Sequence, residues 1–292
     1  MNAYILDLRN QEVGGAVTSG HLYRVENDLD VDWDSRLPEF AAATYGKRLL
    51  VLVHGYNNSR SFGRTRLVRF CGMLAAGGSS DVMLSVLWPG DGWAKALTYP
   101  FEGHDADDTA DALFRWLSTN AASVARVAFV GHSLGCRVVM NTAQQLAQCS
   151  SLVLDRICLM APAIDNDSLG RQGITCYQDA TLVADRLAVL ASEEDLVLHF
   201  AYPLGDLAQT ILYGERWGMA LGRTGPIESE PRIVTRIEPV PKARRKRDVD
   251  HGDYLDVDPT IPNQTIAESE KFVLQFLDRA PQPYWPAQRK AK

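Results

Sequence analysis

The sequence predicts an α/β fold, a doubly wound and mostly parallel sheet flanked by helices. Three observations carry this. Short apolar runs without polar alternation recur along the chain, stretches with helical apolar spacing fall between them, and a Gly-x-Ser-x-Gly turn joins one such run to one such stretch. Unalternated runs of this length fit strands covered on both faces. Strands that alternate with helices give a parallel sheet.

The runs are Lys47–Val53 (KRLLVLV, apolar after its first two residues), Val82–Leu87, Val124–Val130, Ile157–Met160 and Arg186–Ala191. Helices are expected over Asp105–Thr119, where Ala110, Leu113, Phe114 and Leu117 share a face, and over Leu134–Ala147, with Val138, Val139, Ala143 and Leu146. Gln264–Leu277 offers Phe272, Val273, Phe276 and Leu277 as a closing helix. Residues 1–46 read as an N-terminal extension with two edge strands, Ala3–Leu8 and His21–Val25, and an acidic, turn-rich piece. The main domain is expected over residues 47–280, followed by a tail at 281–292. Within it, residues 200–230 hold Gly205, Gly214, Gly218, Gly222 and Gly225 among aromatics, which suggests a cap or lid insertion.

A chain of 292 residues buries about three quarters of the surface its unfolded form exposes, ample for a core without staples. Acidic residues exceed basic ones by 36 to 30, a balance that disfavours nucleic acid as a partner. Cysteines 71, 136, 149, 158 and 176 form no CxxC pair and read as reduced thiols used as small hydrophobes. The N-terminal apolar run is interrupted by Asp7 and lacks a basic lead-in, and no stretch has the apolar length of a membrane span, so a cytoplasmic location is expected. The basic run KARRKR (Lys242, Arg244, Arg245, Lys246, Arg247) reads as a solvated loop or as a contact with an anionic surface.

Gly131-His132-Ser133-Leu134-Gly135 follows the run Val124–Val130 and precedes the helical stretch from Leu134. That is the strand–turn–helix setting of a nucleophilic serine. The flanking glycines relieve crowding in so tight a turn, and the helix N-terminus favours negative charge near Ser133. His54-Gly55-Tyr56 lies at the carboxyl end of another strand, on the sheet edge where ligand sites gather. The N–H groups of Tyr56 and Leu134 are thus candidates for an oxyanion hole, and His54 reads as a structural histidine that fixes the loop. The six histidines show no metal-ligand spacing, so no metal is expected, and acyl transfer through a serine needs no organic cofactor.

A serine hydroxyl needs a base held by a buried carboxylate. With an elbow of this kind the chain order is serine, acid, histidine. Only His199 and His251 follow Ser133. His251 lies in a polar loop before the closing helix and is the preferred base, while His199 sits in an apolar context that suits packing. Asp195 is the preferred acid because it falls just past the run Arg186–Ala191; Glu193 or Glu194 could take its place, and Asp165, after the preceding strand, is the alternative acid.

The segments LVHGYNNS (52–59), LWPGDG (87–92), FVGHSLG (129–135), MAPAID (160–165) and ALGRTGP (220–226) occur in this order. Together they resemble a bacterial branch of the α/β-hydrolases of unknown function with an esterase- or lipase-like core. The resemblance spans about residues 47–255. It implies a Ser133–Asp195–His251 triad, a Tyr56/Leu134 oxyanion hole and hydrolysis of a small ester or lipid-like substrate. Trp88, Trp93 and Tyr202, with Tyr99 and Phe101, are candidates to line an apolar acyl pocket. Two other functions fit the same residues less directly: an acyltransferase or thioesterase with the same triad, and a non-catalytic binding module that retains the fold.

Overall fold

A computed structural model describes residues 2–91, 102–170, 177–193, 195, 197–198, 219–227, 233–236, 251–255 and 267–279. The strands are β1 (Ala3–Asp7), β2 (His21–Glu26), β3 (Leu29–Asp32), β4 (Arg48–Val53), β5 (Val82–Leu87), β6 (Arg126–His132), β7 (Leu154–Met160), β8 (Arg186–Leu190) and β9 (Ile233–Arg236). The helices between them are α1 (Leu37–Thr44), α2 (Arg60–Ala76), α3 (Glu102–Asn120), α4 (Gly135–Cys149) and α5 (Gln178–Val183), and Ala267–Leu277 forms a later one. The described strands make one sheet in the order β3-β2-β1-β5-β4-β6-β7-β8-β9.

From β1 to β9 every neighbouring pair is parallel, while β2 and β3 form an antiparallel hairpin on the β1 side. Its two-residue turn is Asn27-Asp28, with φ of 50° and 65°; asparagine and aspartate tolerate this left-handed backbone better than most residues. β1, β5 and β7 are buried at every position, as expected of strands covered on both faces.

The order of connections positions the site. The chain leaves β4 through α2 to β5 on one side, then returns through α3 to β6 on the other side of β4. From β6 it continues outward to β7 and β8. The carboxyl ends of β4 and β6 therefore flank the point where the winding direction reverses, which in open α/β sheets is where a crevice forms.

Residues 1–46 are more integral than the expected extension. β1 is not an edge strand, since it lies between β2 and β5, and β3 occupies the edge in the piece read as acidic and turn-rich. Part of the segment at 200–230 also packs into the body. Ala220 bridges to Asp165, the short helix Leu221–Thr224 follows, and a Cβ at Gly222 would stand 2.4 Å from the Ala161 carbonyl carbon. The rest of that segment, 200–218 and 228–230, lies outside the described residues.

Cys71, Cys136 and Cys158 are buried and unbridged, and burial pushes the Cys71 thiol up to about 12. Such thiols act as packing groups, with little thiolate at neutral pH. Among the described residues no helix is long and apolar enough to cross a membrane.

Candidate active site

β6 runs two residues past the apolar run, through Gly131 and His132, and α4 starts at Gly135. Ser133 and Leu134 lie between them, and Ser133 has φ of 53°, a conformation that costs a non-glycine residue about 1–3 kcal/mol. The surroundings enforce it. Its N–H donates to the Met160 carbonyl at 2.9 Å, and its carbonyl accepts from Cys136 N–H at 3.0 Å and Ala163 N–H at 3.2 Å. Gly135 is obligatory for close approach, because a Cβ there would lie 2.2 Å from the His54 carbonyl oxygen.

The expected base and acid come from later loops. His251 opens a 3-10 turn, His251–Tyr254. Its Nε2 lies 2.7 Å from Ser133 Oγ and its Nδ1 lies 2.7 Å from Asp195 Oδ2. Asp195 is fully buried just beyond β8, and its N–H donates to the Ser192 carbonyl at 3.1 Å. Its Oδ1 accepts from Leu198 N–H at 2.9 Å, which fixes the carboxylate plane and leaves Oδ2 for the histidine. The structure thus joins Ser133, His251 and Asp195, residues spread over 118 positions of sequence, in one hydrogen-bonded line. The Nδ1 partner is Asp195 rather than Asp165, whose carbonyl accepts from Ser168 and whose backbone bridges to Ala220.

His132 packs against the His251 ring, with centroids 5.1 Å apart. Burial, with His251 close by, drives its pKa down to about 3. A neutral ring with Nε2 at 2.8 Å from the His251 carbonyl must carry its proton on Nε2 and donate there. His54 is also fully buried and held down to about 3 by that burial. Its Nδ1–H donates to the Gly55 carbonyl at 2.8 Å, and its Nε2 accepts from Trp88 N–H at 3.3 Å.

The loop after β4 lies against the serine. A Cβ on Gly55 would approach Ser133 Cβ to 2.8 Å, so the backbone at Gly55 lies directly against Ser133. Asn57 takes a φ of 59°, and Asn58 Nδ2 donates to the carbonyls of Gly55 at 2.8 Å and Tyr56 at 2.9 Å. Leu134 caps α4, and its N–H is one of the amides a helix start leaves without an intrahelical partner. Of the two residues expected to supply oxyanion donors, Leu134 directly follows Ser133 and Tyr56 directly follows Gly55.

Trp88 is placed differently from a pocket-lining residue. Its side chain is fully buried, stacks on His54 with centroids 5.8 Å apart, and donates its indole N–H to the His54 carbonyl at 2.8 Å. It supports the loop from below and presents no surface to an acyl chain. Trp93, Tyr99, Phe101, Tyr202, His199 and the basic run at 242–247 lie outside the described residues. Among the described residues no group of three or more His, Cys, Asp or Glu side chains is placed to hold a metal ion.

Sequence reasoning did not single out the grip of His132 on His251, although its place beside the serine marked it as near the site. Nor did it find Arg9, whose contacts with the loop at 55–58 join segments far apart in sequence.

The two buried histidines make the fold sensitive to acid. Each has a folded pKa of about 3 against an ordinary 6.5. Between those values the unfolded chain takes up a proton that the folded chain refuses, so stability is full above about pH 6.5 and falls as the pH drops. The slope approaches about 1.4 kcal/mol per pH unit for each histidine. Urea midpoints at about pH 7 and about pH 5 should differ accordingly, and His54→Asn should reduce the difference. Identical pH dependence in the variant would contradict this.

Residues 33–209 match the family described as "Alpha/beta hydrolase of unknown function (DUF900)". No curated protein matches. Among solved structures, the chain is similar to the Pyrococcus furiosus esterase Pf2001 at 13% identity and a TM-score of 0.44, over 89% of this chain and 86% of that one. It is similar to EstE1, a thermophilic carboxylesterase cloned from a metagenomic library, at 14% identity and a TM-score of 0.43, over 90% and 86% of the two chains. For TT1662 of Thermus thermophilus the identity is 13% and the TM-score 0.43, over 94% and 97%.

Proposed function

Since the chain belongs to the DUF900 family of α/β-hydrolases, we propose that it is a serine hydrolase that cleaves carboxylic esters through an acyl-enzyme on Ser133. The observation that carries this reading is the unbroken line from Ser133 Oγ through His251 to Asp195, with both contacts at 2.7 Å. A binding module that had kept only the fold has no use for a buried carboxylate aligned on a histidine that faces a serine.

In this reading Asp195 accepts from His251 Nδ1–H and so keeps Nε2 free as the base. His251 Nε2 takes the Ser133 proton as Oγ attacks the ester carbonyl. The carbonyl oxygen becomes an anion held by the N–H groups of Tyr56 and Leu134; one such donor contributes about 3–4 kcal/mol to the transition state. The tetrahedral adduct collapses, the bond to the leaving oxygen breaks, and His251 returns the proton to the departing alcohol. Water then gives a proton to His251 and attacks the acyl carbon. The acid leaves, and Ser133 recovers its proton.

The test is turnover of short p-nitrophenyl esters, from acetate to octanoate, by the purified chain. Saturable release of p-nitrophenol above the buffer rate supports the reading, and no release at any acyl length sinks it.

A further inference from the structure

We propose that Arg9, acting through Asn58, is a positioning residue that holds the Gly55–Asn58 loop against Ser133 and so keeps the Tyr56 N–H aimed at the oxyanion. The proposal rests on the serine-hydrolase reading for its catalytic consequence, but the clamp itself is independent of it. Arg9 also lies outside the stretch matched to the family, residues 33–209.

Arg9 follows β1, and its side chain has no solvent exposure. All three guanidinium nitrogens are engaged. Nε donates to the Gln11 carbonyl at 3.2 Å, Nη1 to the carbonyls of Asn58 at 2.9 Å and Trp88 at 3.0 Å, and Nη2 to the Glu12 carbonyl at 2.8 Å and Asp91 Oδ1 at 2.5 Å. A buried charge persists only where paired and hydrogen-bonded, and a planar five-donor fork suits this better than a lysine ammonium. Nη1 is the informative atom, because it bridges the loops that leave β4 and β5.

From there the connection to the nucleophile is short. Asn58 Nδ2 grips the carbonyls of Gly55 and Tyr56 at 2.8 and 2.9 Å, Asn57 N–H donates to the Gly90 carbonyl at 2.6 Å, and Gly55 rests on Ser133. The segment after β1 clamps the start of α2 as well. Asp7 pairs with Arg60, Arg60 N–H donates to the Glu12 carbonyl at 2.9 Å, and Glu12 Oε1 accepts from Ser61 N–H at 2.9 Å. The loop is thus fixed at its carbonyls, which leaves the Tyr56 N–H direction set by the peptide planes. An oxyanion donor helps only when it is in place before the charge develops, and an error of about 1 Å costs on the order of 10²-fold in rate.

The experiment compares wild type, Arg9→Met, Arg9→Lys and Asn58→Ala, all assayed well below their melting temperatures. Ester kinetics is read together with hydrogen exchange over residues 54–60. Arg9→Met and Asn58→Ala should each lower kcat by about 10- to 100-fold with KM nearly constant, and exchange at 54–60 should quicken. Arg9→Lys should recover part of the lost kcat. Unchanged kcat in folded Arg9→Met or Asn58→Ala overturns the proposal. So does a loss that falls on KM with exchange at 54–60 unaltered. If Arg9→Met fails to fold, Asn58→Ala and Arg9→Lys decide between the same outcomes. If wild type itself turns over no ester, the hydrolase reading has failed. The exchange data then decide the clamp alone: faster exchange at 54–60 supports it and unchanged protection overturns it.

Discussion

Ser133→Ala is expected to lower kcat for a short carboxylic ester on the order of 10⁶-fold, while the variant stays folded. That is about 8 kcal/mol of transition-state stabilisation. The size follows from what the substitution removes. Without Oγ there is no covalent route, and His251 Nε2 loses the hydroxyl that lies 2.7 Å from it. The two amides beside Ser133 remain, so a small rate above buffer should persist. Folding should survive because the backbone keeps its bonds to Met160, Cys136 and Ala163. Alanine takes the positive φ of 53° no more easily than serine, so stability should change little. Steady-state kinetics and a urea curve check both parts, and a variant within tenfold of wild type would remove Ser133 from the mechanism.

Asp195→Asn should cost about 10⁴-fold in kcat, whereas Asp165→Asn should change it by less than about threefold. The asymmetry arises from the partner of each oxygen. Asp195 Oδ1 accepts from Leu198 N–H at 2.9 Å, while Oδ2 faces His251 Nδ1 at 2.7 Å. An asparagine would turn its oxygen to Leu198 and its NH₂ to His251. Nδ1 must then accept, the ring proton moves to Nε2, and Nε2 can no longer take the serine proton. The fold should tolerate the change, since the Leu198 bond is kept. Asp165 is engaged elsewhere through its backbone, which bridges to Ala220 and accepts from Ser168. Parallel kcat measurements on the two variants separate the assignments, and a dead Asp165→Asn beside an active Asp195→Asn would reverse them.

Much of the site could be read from sequence, because its parts announce themselves locally. The run Val124–Val130, two glycines around a serine and an amphipathic stretch after it are contiguous, and the structure places Ser133 at that junction. The residues at 195 and 251 follow from loop position and chain order. What escaped depends on contacts far apart in sequence. α2 was not anticipated: Arg60, Arg64, Arg66 and Arg69 with Gly63 and Gly72 obscure the apolar stripe of Leu67, Phe70, Cys71 and Leu74 that it buries. β7 starts at Leu154, before the apolar run, because Asp155 and Arg156 read as polar. Both are buried, with Asp155 held by Arg48 at 3.2 Å and Arg279 at 2.8 Å, and Arg156 by Asp185 at 3.2 Å. Trp88 looked like pocket lining as an aromatic near a strand end, yet its stacking on His54 turns it inward. Arg9 carries no local signal in the sequence, since only the pairing of β1 with β5 brings it to the loops it bridges.

The most direct test of the account is to identify the residue that a fluorophosphonate probe modifies. Wild-type protein is incubated with the probe, its intact mass is measured, and the modified peptide is sequenced by mass spectrometry. One adduct per chain on Ser133, absent from Ser133→Ala and strongly slowed in His251→Ala, is the predicted result. No adduct on wild type, or an adduct on another residue that persists in Ser133→Ala, would contradict it.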